Sequence, residues 1–147
     1  MRRIATLAVS TGLAMSCLTA VAATAADAST TRSWVTKDGW GSLEASGKYT
    51  RSSSGLAVSV YLSDSGNNGW SPAVQIRTAT QDYKKYKTSA VFYFVDRRNN
   101  RPADFKFHKV YRGKYTSGYS GHLYVREVGV RESNRNSMVA GPWKKLF

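Results

Sequence analysis

The chain has 147 residues, 41% of them hydrophobic, and its 22 Lys and Arg outweigh 9 Asp and Glu to give a formal net charge of +13. One cysteine, Cys17, excludes an internal disulfide, and the roughly 120 residues after the N-terminal segment suffice for one packed core. A field of that sign favours anionic partners, which include nucleic acid, cell-wall teichoic acids, acidic polysaccharides and membrane surfaces.

Arg2 and Arg3 precede an apolar run from Ile4 to about Ala23, and Ala26, Asp27 and Ala28 fit the small-x-small pattern of a signal peptidase site. The pattern predicts a secretory signal peptide over residues 1–28, with Ala23 to Ala25 as the second choice of cut, and a single exported domain over 29–147. Thr6, Ser10, Thr11, Gly12, Ser16 and Thr19 interrupt the run, and no basic stop-transfer cluster follows, which argues against a membrane anchor. Cys17 lacks the Leu three places upstream that lipid attachment requires. Removal of the signal leaves a cysteine-free chain held by its core alone, still strongly basic because Arg2 and Arg3 are nearly offset by Asp27.

Residues 29–33 read as a flexible lead, followed by Trp34 and Val35, a turn at Lys37 to Gly39, and Trp40. The first strand expected runs from Ser42 to Arg51, with Leu43, Ala45, Gly47 and Tyr49 on one face. The clearest signal comes next. Leu56, Val58, Val60 and Leu62 alternate with small or polar residues, Asp64 to Gly69 supply turn chemistry, and Val74 and Ile76 alternate with Gln75 and Arg77, together a strand, turn, strand unit read as a hairpin. Ser89 to Val95 is apolar throughout and reads as an interior strand. Asp96 to Asp104 is a polar loop, Phe105 to Tyr111 a strand, and Arg112 to Gly121 a glycine-bearing loop. His122 to Glu132 forms the last long strand, where the shift from Leu123 and Val125 to Val128 and Val130 predicts a bulge between Arg126 and Gly129. Ser133 to Ser137 reads as a turn and Trp143 to Phe147 as a short closing strand. Without sustained helical periodicity, the pattern predicts an all-β domain of about seven short strands, an antiparallel sandwich or, alternatively, a small barrel.

Three basic stretches carry aromatic residues or adjoin them. They are Lys84, Lys85 and Lys87 with Tyr83 and Tyr86; Arg97, Arg98 and Arg101; and Lys109, Arg112 and Lys114 with Tyr111, Tyr115 and Tyr119. Cations neutralise phosphates while tyrosine faces stack on bases or sugars, so these residues are the candidate contacts for an anionic polymer. The tryptophans Trp34, Trp40, Trp70 and Trp143 read as plugs at the ends of the core. Two histidines, His108 and His122, give a second reading, a small secreted ribonuclease-like hydrolase in which one imidazole takes a proton, the other gives one, and Lys106, Lys109 or Arg126 holds the oxyanion. A third is a protein-binding or inhibitor module presenting the Arg97 to Arg101 loop. No metal or cofactor is implied: there is no zinc-ligand spacing, and the Asp64 to Gly69 loop places Gly66 and Gln75 where a calcium loop needs oxygen ligands.

The stretches Ala23 to Ala28, Val58 to Ser65, Asn68 to Arg77 and Pro142 to Lys145 resemble small secreted β-sandwich proteins of actinobacteria. The resemblance implies export and an all-β fold, and no activity. The cysteine pair that such proteins carry near their C-terminal strands has no counterpart between residues 128 and 141. Taken together, the sequence predicts a secreted monomer that binds an anionic polymer outside the cell without catalysis and without integral membrane association.

Overall fold

The computed structural model describes residues 29–36, 42–104 and 109–147, with the backbone alone for 109–111. Residues 1–28, on which the expected signal peptide falls, the expected turn at Lys37 to Gly39 with Trp40, and Phe105 to His108 lie outside those residues. Alternation of apolar and polar side chains organises the rest into strands β1 (Thr30–Val35), β2 (Leu43–Ser52), β3 (Gly55–Asp64), β4 (Trp70–Ala79), β5 (Tyr86–Thr88), β6 (Phe92–Tyr93), β7 (Val95–Asp96), β8 (Arg101–Pro102), β9 (Lys109–Ser117), β10 (His122–Arg131), β11 (Asn134–Ala140) and β12 (Lys144–Lys145). The fold is all-β and antiparallel, and no helix occurs among the described residues.

Two sheets stack face to face. The first has the order β1-β2-β3-β9; the second has β11-β10-β4-β5, with β12 beside β10 and β6 beside β4. Among the described residues no ladder joins the two, so the architecture is a sandwich and not a closed barrel. Leu56, Val58, Val60 and Leu62 from β3 meet Val74 and Ile76 from β4 and Leu123 and Val125 from β10 in the main core. Each such side chain stabilises the fold by about 1.5–3 kcal/mol on burial, which is how a cysteine-free domain holds together.

Several expectations need correction. The stretch Leu56 to Thr80 is not a hairpin: β3 pairs with β2 and β9, whereas β4 pairs with β10, β5 and β6. The Asp64 to Gly69 turn carries the chain across the sandwich, so the two aliphatic stripes face one another instead of lying side by side. Asp64 Oδ1 accepts from the Gly66 amide at 3.0 Å and Asn68 Oδ1 from the Trp70 amide at 2.9 Å, the local bonding expected of those residue types. The expected flexible lead is largely strand, because Thr30 to Val35 pairs with Ser46 to Arg51.

Ser89 to Val95 is not an interior strand. It lies along the edge of β4, where the Ser89 hydroxyl accepts from the Ile76 amide at 3.0 Å and only Phe92 and Tyr93 pair. Its apolar character has another cause: Phe92 and Phe94 pack on the main core, while Val91 and Tyr93 pack on a second cluster of Ala73, Val128 and Val130. That cluster also removes the need for a bulge. The β4–β10 register runs unbroken from His122↔Ala79 to Arg131↔Trp70, and the change of parity in β10 marks the change from covering one face to covering both. Arg112 to Ser117 belongs to β9, paired with β3, and β11 begins at Asn134 within the expected turn.

The C-terminal segment straps the sheets together. Lys144 and Lys145 pair with Val125 and Tyr124, the Lys144 ammonium donates to the Val35 carbonyl at 2.9 Å, and Phe147 packs on Tyr49 with ring centroids 5.2 Å apart. The expected closing strand is therefore present.

Gly47 sits opposite Trp34 in the β1–β2 register. A Cβ at Gly47 would lie 1.9 Å from the Ser59 carbonyl oxygen and 2.9 Å from Trp34 Cε2, so the glycine permits the indole to lie flat on the strand. Gly47→Ala is expected to lower stability by about 1–3 kcal/mol in a urea melt followed by tryptophan fluorescence. An unchanged midpoint would show that the indole does not depend on that gap.

Candidate functional site

The outward positions of the second sheet form the most chemically distinctive surface of the molecule. Because Val74 and Ile76 point into the core, Gln75 and Arg77 of β4 point out, and the register brings Tyr124 beside Arg77 and Arg126 beside Gln75. On one flank Thr88 of β5 pairs with Arg77, and on the other Lys145 of β12 pairs with Tyr124. Trp143, two residues before Lys145, lies over the same face.

Two guanidiniums share one indole. The Arg77 guanidinium carbon lies 4.2 Å and that of Arg126 4.5 Å from the Trp143 ring centroid. Each such contact contributes about 0.5–1 kcal/mol at an exposed site and up to about 2 when desolvated. Arg126 donates through Nε and Nη2 to Gln75 Oε1 at 3.0 and 2.6 Å, and Arg77 donates through Nε to Thr88 Oγ1 at 3.3 Å. Burial pulls the Arg126 pKa below its usual value, and the neighbouring Arg77 charge pulls it further. Neither arginine meets a carboxylate among the described residues, and the outward positions of β4, β5, β10 and β12 hold no acidic side chain.

An aromatic group adjoins this pair. Tyr83 stacks on His122 with centroids 3.9 Å apart and planes 8° from parallel, and the Lys145 ammonium donates to the Tyr83 hydroxyl at 2.8 Å. That bond raises the Lys145 pKa, and burial followed by the Tyr83 phenol raises that of Tyr124. His122 is buried, with Nε2 3.2 Å from the Gln81 carbonyl oxygen. Asp82, in the loop beside this group, is held below the ordinary carboxylate range first by the Thr80 hydroxyl and then by the Lys84 amide.

The three basic stretches singled out in the sequence do not come together. Lys84 and Lys85 are exposed in the loop next to Tyr83, but Lys87 turns the other way, its ammonium 5.9 Å from the Tyr115 ring. Arg97, Arg98 and Arg101 are exposed on the β7–β8 hairpin, which borders the Glu132 to Asn136 turn at the far end of β10, about 30 Å from His122 at strand rise. Arg112 and Lys114 project from the outer face of the first sheet, while Tyr115 is buried and Tyr119 half-buried. The Lys109 side chain and all of His108 lie outside the described residues.

Trp143 is not a core plug, unlike Trp34, which is buried at 5% exposure. An open groove of about 510 Å³ lies elsewhere and is lined by hydroxyls of Thr50, Ser52, Ser54, Thr116 and Ser117 with Lys87 as its cation. No group of three side chains able to hold a metal ion occurs among the described residues. The sequence marks Arg126 only as an oxyanion partner and Trp143 only as a plug; their grouping with Arg77 is not legible there because the three are isolated in the chain, and only the β4–β10–β12 register makes them neighbours.

Comparison of the chain with protein-family models, curated proteins and solved structures returns no match.

Trp143→Ala is expected to cost about 1 kcal/mol, the worth of surface cation–π contacts. Trp34→Ala in the same denaturant series is expected to cost about 3–5 kcal/mol. Equal losses would return Trp143 to a core role.

Proposed function

We propose that the chain is exported and acts as a non-catalytic, monomeric binding domain for an anionic extracellular or cell-wall polymer, which it meets on the outer face of the second sheet. The observation that carries this reading is the meeting of Arg77, Arg126 and Lys145 with Trp143, Tyr83 and Tyr124 on a face whose strands present no carboxylate. Cations there are ordered by ring contacts and neutral hydrogen bonds, so they remain uncompensated. An approaching polyanion releases counterions and gains fixed partners at little cost in side-chain entropy. The net charge of +13 assists encounter over a longer range.

The reading separates local arrangement from bulk charge. The triple variant Arg77→Gln, Arg126→Gln, Lys145→Gln is expected to bind a single-stranded polynucleotide or a polyuronate at least tenfold more weakly at 0.15 M salt, with a shallower dependence on salt. A control triple, Arg97→Gln, Arg98→Gln, Arg101→Gln, removes the same charge from the opposite end and is expected to bind nearly as the parent does. Equal weakening by both would overturn the assignment to this face.

A further inference from the structure

We infer that Arg77 and Arg126 form a two-pronged clamp for a phosphoryl group, which makes the ligand a phosphate-bearing one and not a carboxylated polysaccharide. The inference rests on the polymer reading of the same face and names its chemistry.

The two guanidiniums leave several donors uncommitted. Arg77 uses Nε on Thr88, and Arg126 uses Nε and Nη2 on Gln75. The Nη1 and Nη2 groups of Arg77 and Nη1 of Arg126 therefore have no partner among the described residues, and each nitrogen carries two N–H donors. Both guanidiniums lie against one ring, so they sit within a Debye length of each other, about 10 Å at 0.1 M salt, and their repulsion is not screened away. Trp143 and Gln75 attract the pair without neutralising it. Burial, and after it the Arg77 charge, lowers the Arg126 pKa.

The acceptor that answers this arrangement has particular chemistry. One guanidinium fork engages both oxygens of a carboxylate side by side in a single plane. A second fork arriving from another strand needs oxygens outside that plane, and a tetrahedral phosphoryl group supplies them. Charge points the same way: a carboxylate brings one negative charge to two cations, whereas a phosphomonoester brings about 1.5 to 2. Arginine rather than lysine at both positions fits the need for planar, directional donors.

A terminal phosphate on a polymer and free inorganic phosphate share this chemistry, and the experiment separates them. The arginine Nε resonances of the full chain, assigned with Arg77→Lys and Arg126→Lys, are followed by NMR during titration with inorganic phosphate or with acetate at constant ionic strength. Oligonucleotides with and without a 5′-phosphate are then used as competitors. The expected result is saturable movement of both resonances with phosphate, at least tenfold weaker response to acetate, and tighter competition by the 5′-phosphorylated oligonucleotide. Arg77→Lys keeps the charge and loses the fork, and is expected to weaken phosphate binding at least fivefold with an unchanged amide spectrum elsewhere.

Equal response to acetate, or wild-type phosphate binding by Arg77→Lys, would overturn the clamp. Inorganic phosphate that binds while neither oligonucleotide competes would place free phosphate at the clamp and remove the polymer reading alone. Polymer binding that persists unchanged in the Arg77→Lys, Arg126→Lys double variant would leave the polymer reading standing and remove the clamp.

Discussion

The ten-residue ladder between β4 and β10 is the constraint on which the rest of the molecule depends. Its inner face supplies Val74, Ile76, Leu123 and Val125 to the main core, and its outer face divides into two halves. Toward the Trp70 end, Ala73, Val128 and Val130 are covered by Val91 and Tyr93. Toward the Ala79 end the cover is aromatic, with Trp143 over Arg77 and Arg126 and Tyr83 over His122, and Gln75, Arg77, Tyr124 and Arg126 are half-buried. A one-residue slip of β10 against β4 would send Tyr124 and Arg126 into the core and Leu123 and Val125 into water. Loss of two aliphatic side chains from burial, at about 1.5–3 kcal/mol each, together with the burial of a guanidinium, makes the alternative register inaccessible in a domain whose whole stability is of order 5–15 kcal/mol.

Holding the uncompensated cations in place falls to the C-terminal strap. Two like charges about 4–9 Å apart, the range open to guanidiniums that both lie against one ring, repel by about 0.5–1 kcal/mol in water and about 2–4 at the effective dielectric of a protein surface. Cation–π contacts of about 0.5–2 kcal/mol each, with the hydrogen bonds to Gln75 and Thr88, are of the size needed to offset a repulsion between those limits. Trp143 contributes because β12 pairs with β10 and Phe147 packs against Tyr49, which fixes the segment at both ends. Arg51 lies 4.7 Å from the Phe147 ring on the inner side of that strap, so cation–aromatic contacts recur on both of its sides. The segment that closes the sandwich is thus the one that assembles the face.

Strand identity was largely legible in the sequence because period-two alternation reports directly on burial, as Leu56 to Leu62 and Leu43 to Tyr49 show. Pairing was not. Alternation in β3 and β4 is the same whether they lie side by side in a hairpin or face one another across a core, and the six-residue turn permits either. The Ser89 to Val95 run misled for a related reason: apolar residues of both parities signal two covered faces, and an edge segment wedged between two clusters satisfies that as well as an interior strand does. Hydroxyls and glycines between Arg112 and Ser117 hid β9, whose pairing with β3 supplies what its composition lacks.

The candidate site was less legible than the fold, because charge density along a chain and charge density on a surface are different quantities. Lys84 to Lys87 and Arg97 to Arg101 are dense in sequence, yet in the first stretch Lys84 and Lys85 stay in an exposed loop while Lys87 turns to the opposite side of β5, and the second occupies the tip of a hairpin remote from it. A basic chain sheds such runs into solvent at little cost, since exposed cations are hydrated and screened. Cations that are partly desolvated, drawn close to one another and left without a carboxylate are a different matter. Their repulsion is a standing cost to the folded chain, and an anion that relieves it gains affinity from strain already present before binding. On that argument Arg77 and Arg126, single residues in unremarkable strands, outrank every basic run in the sequence.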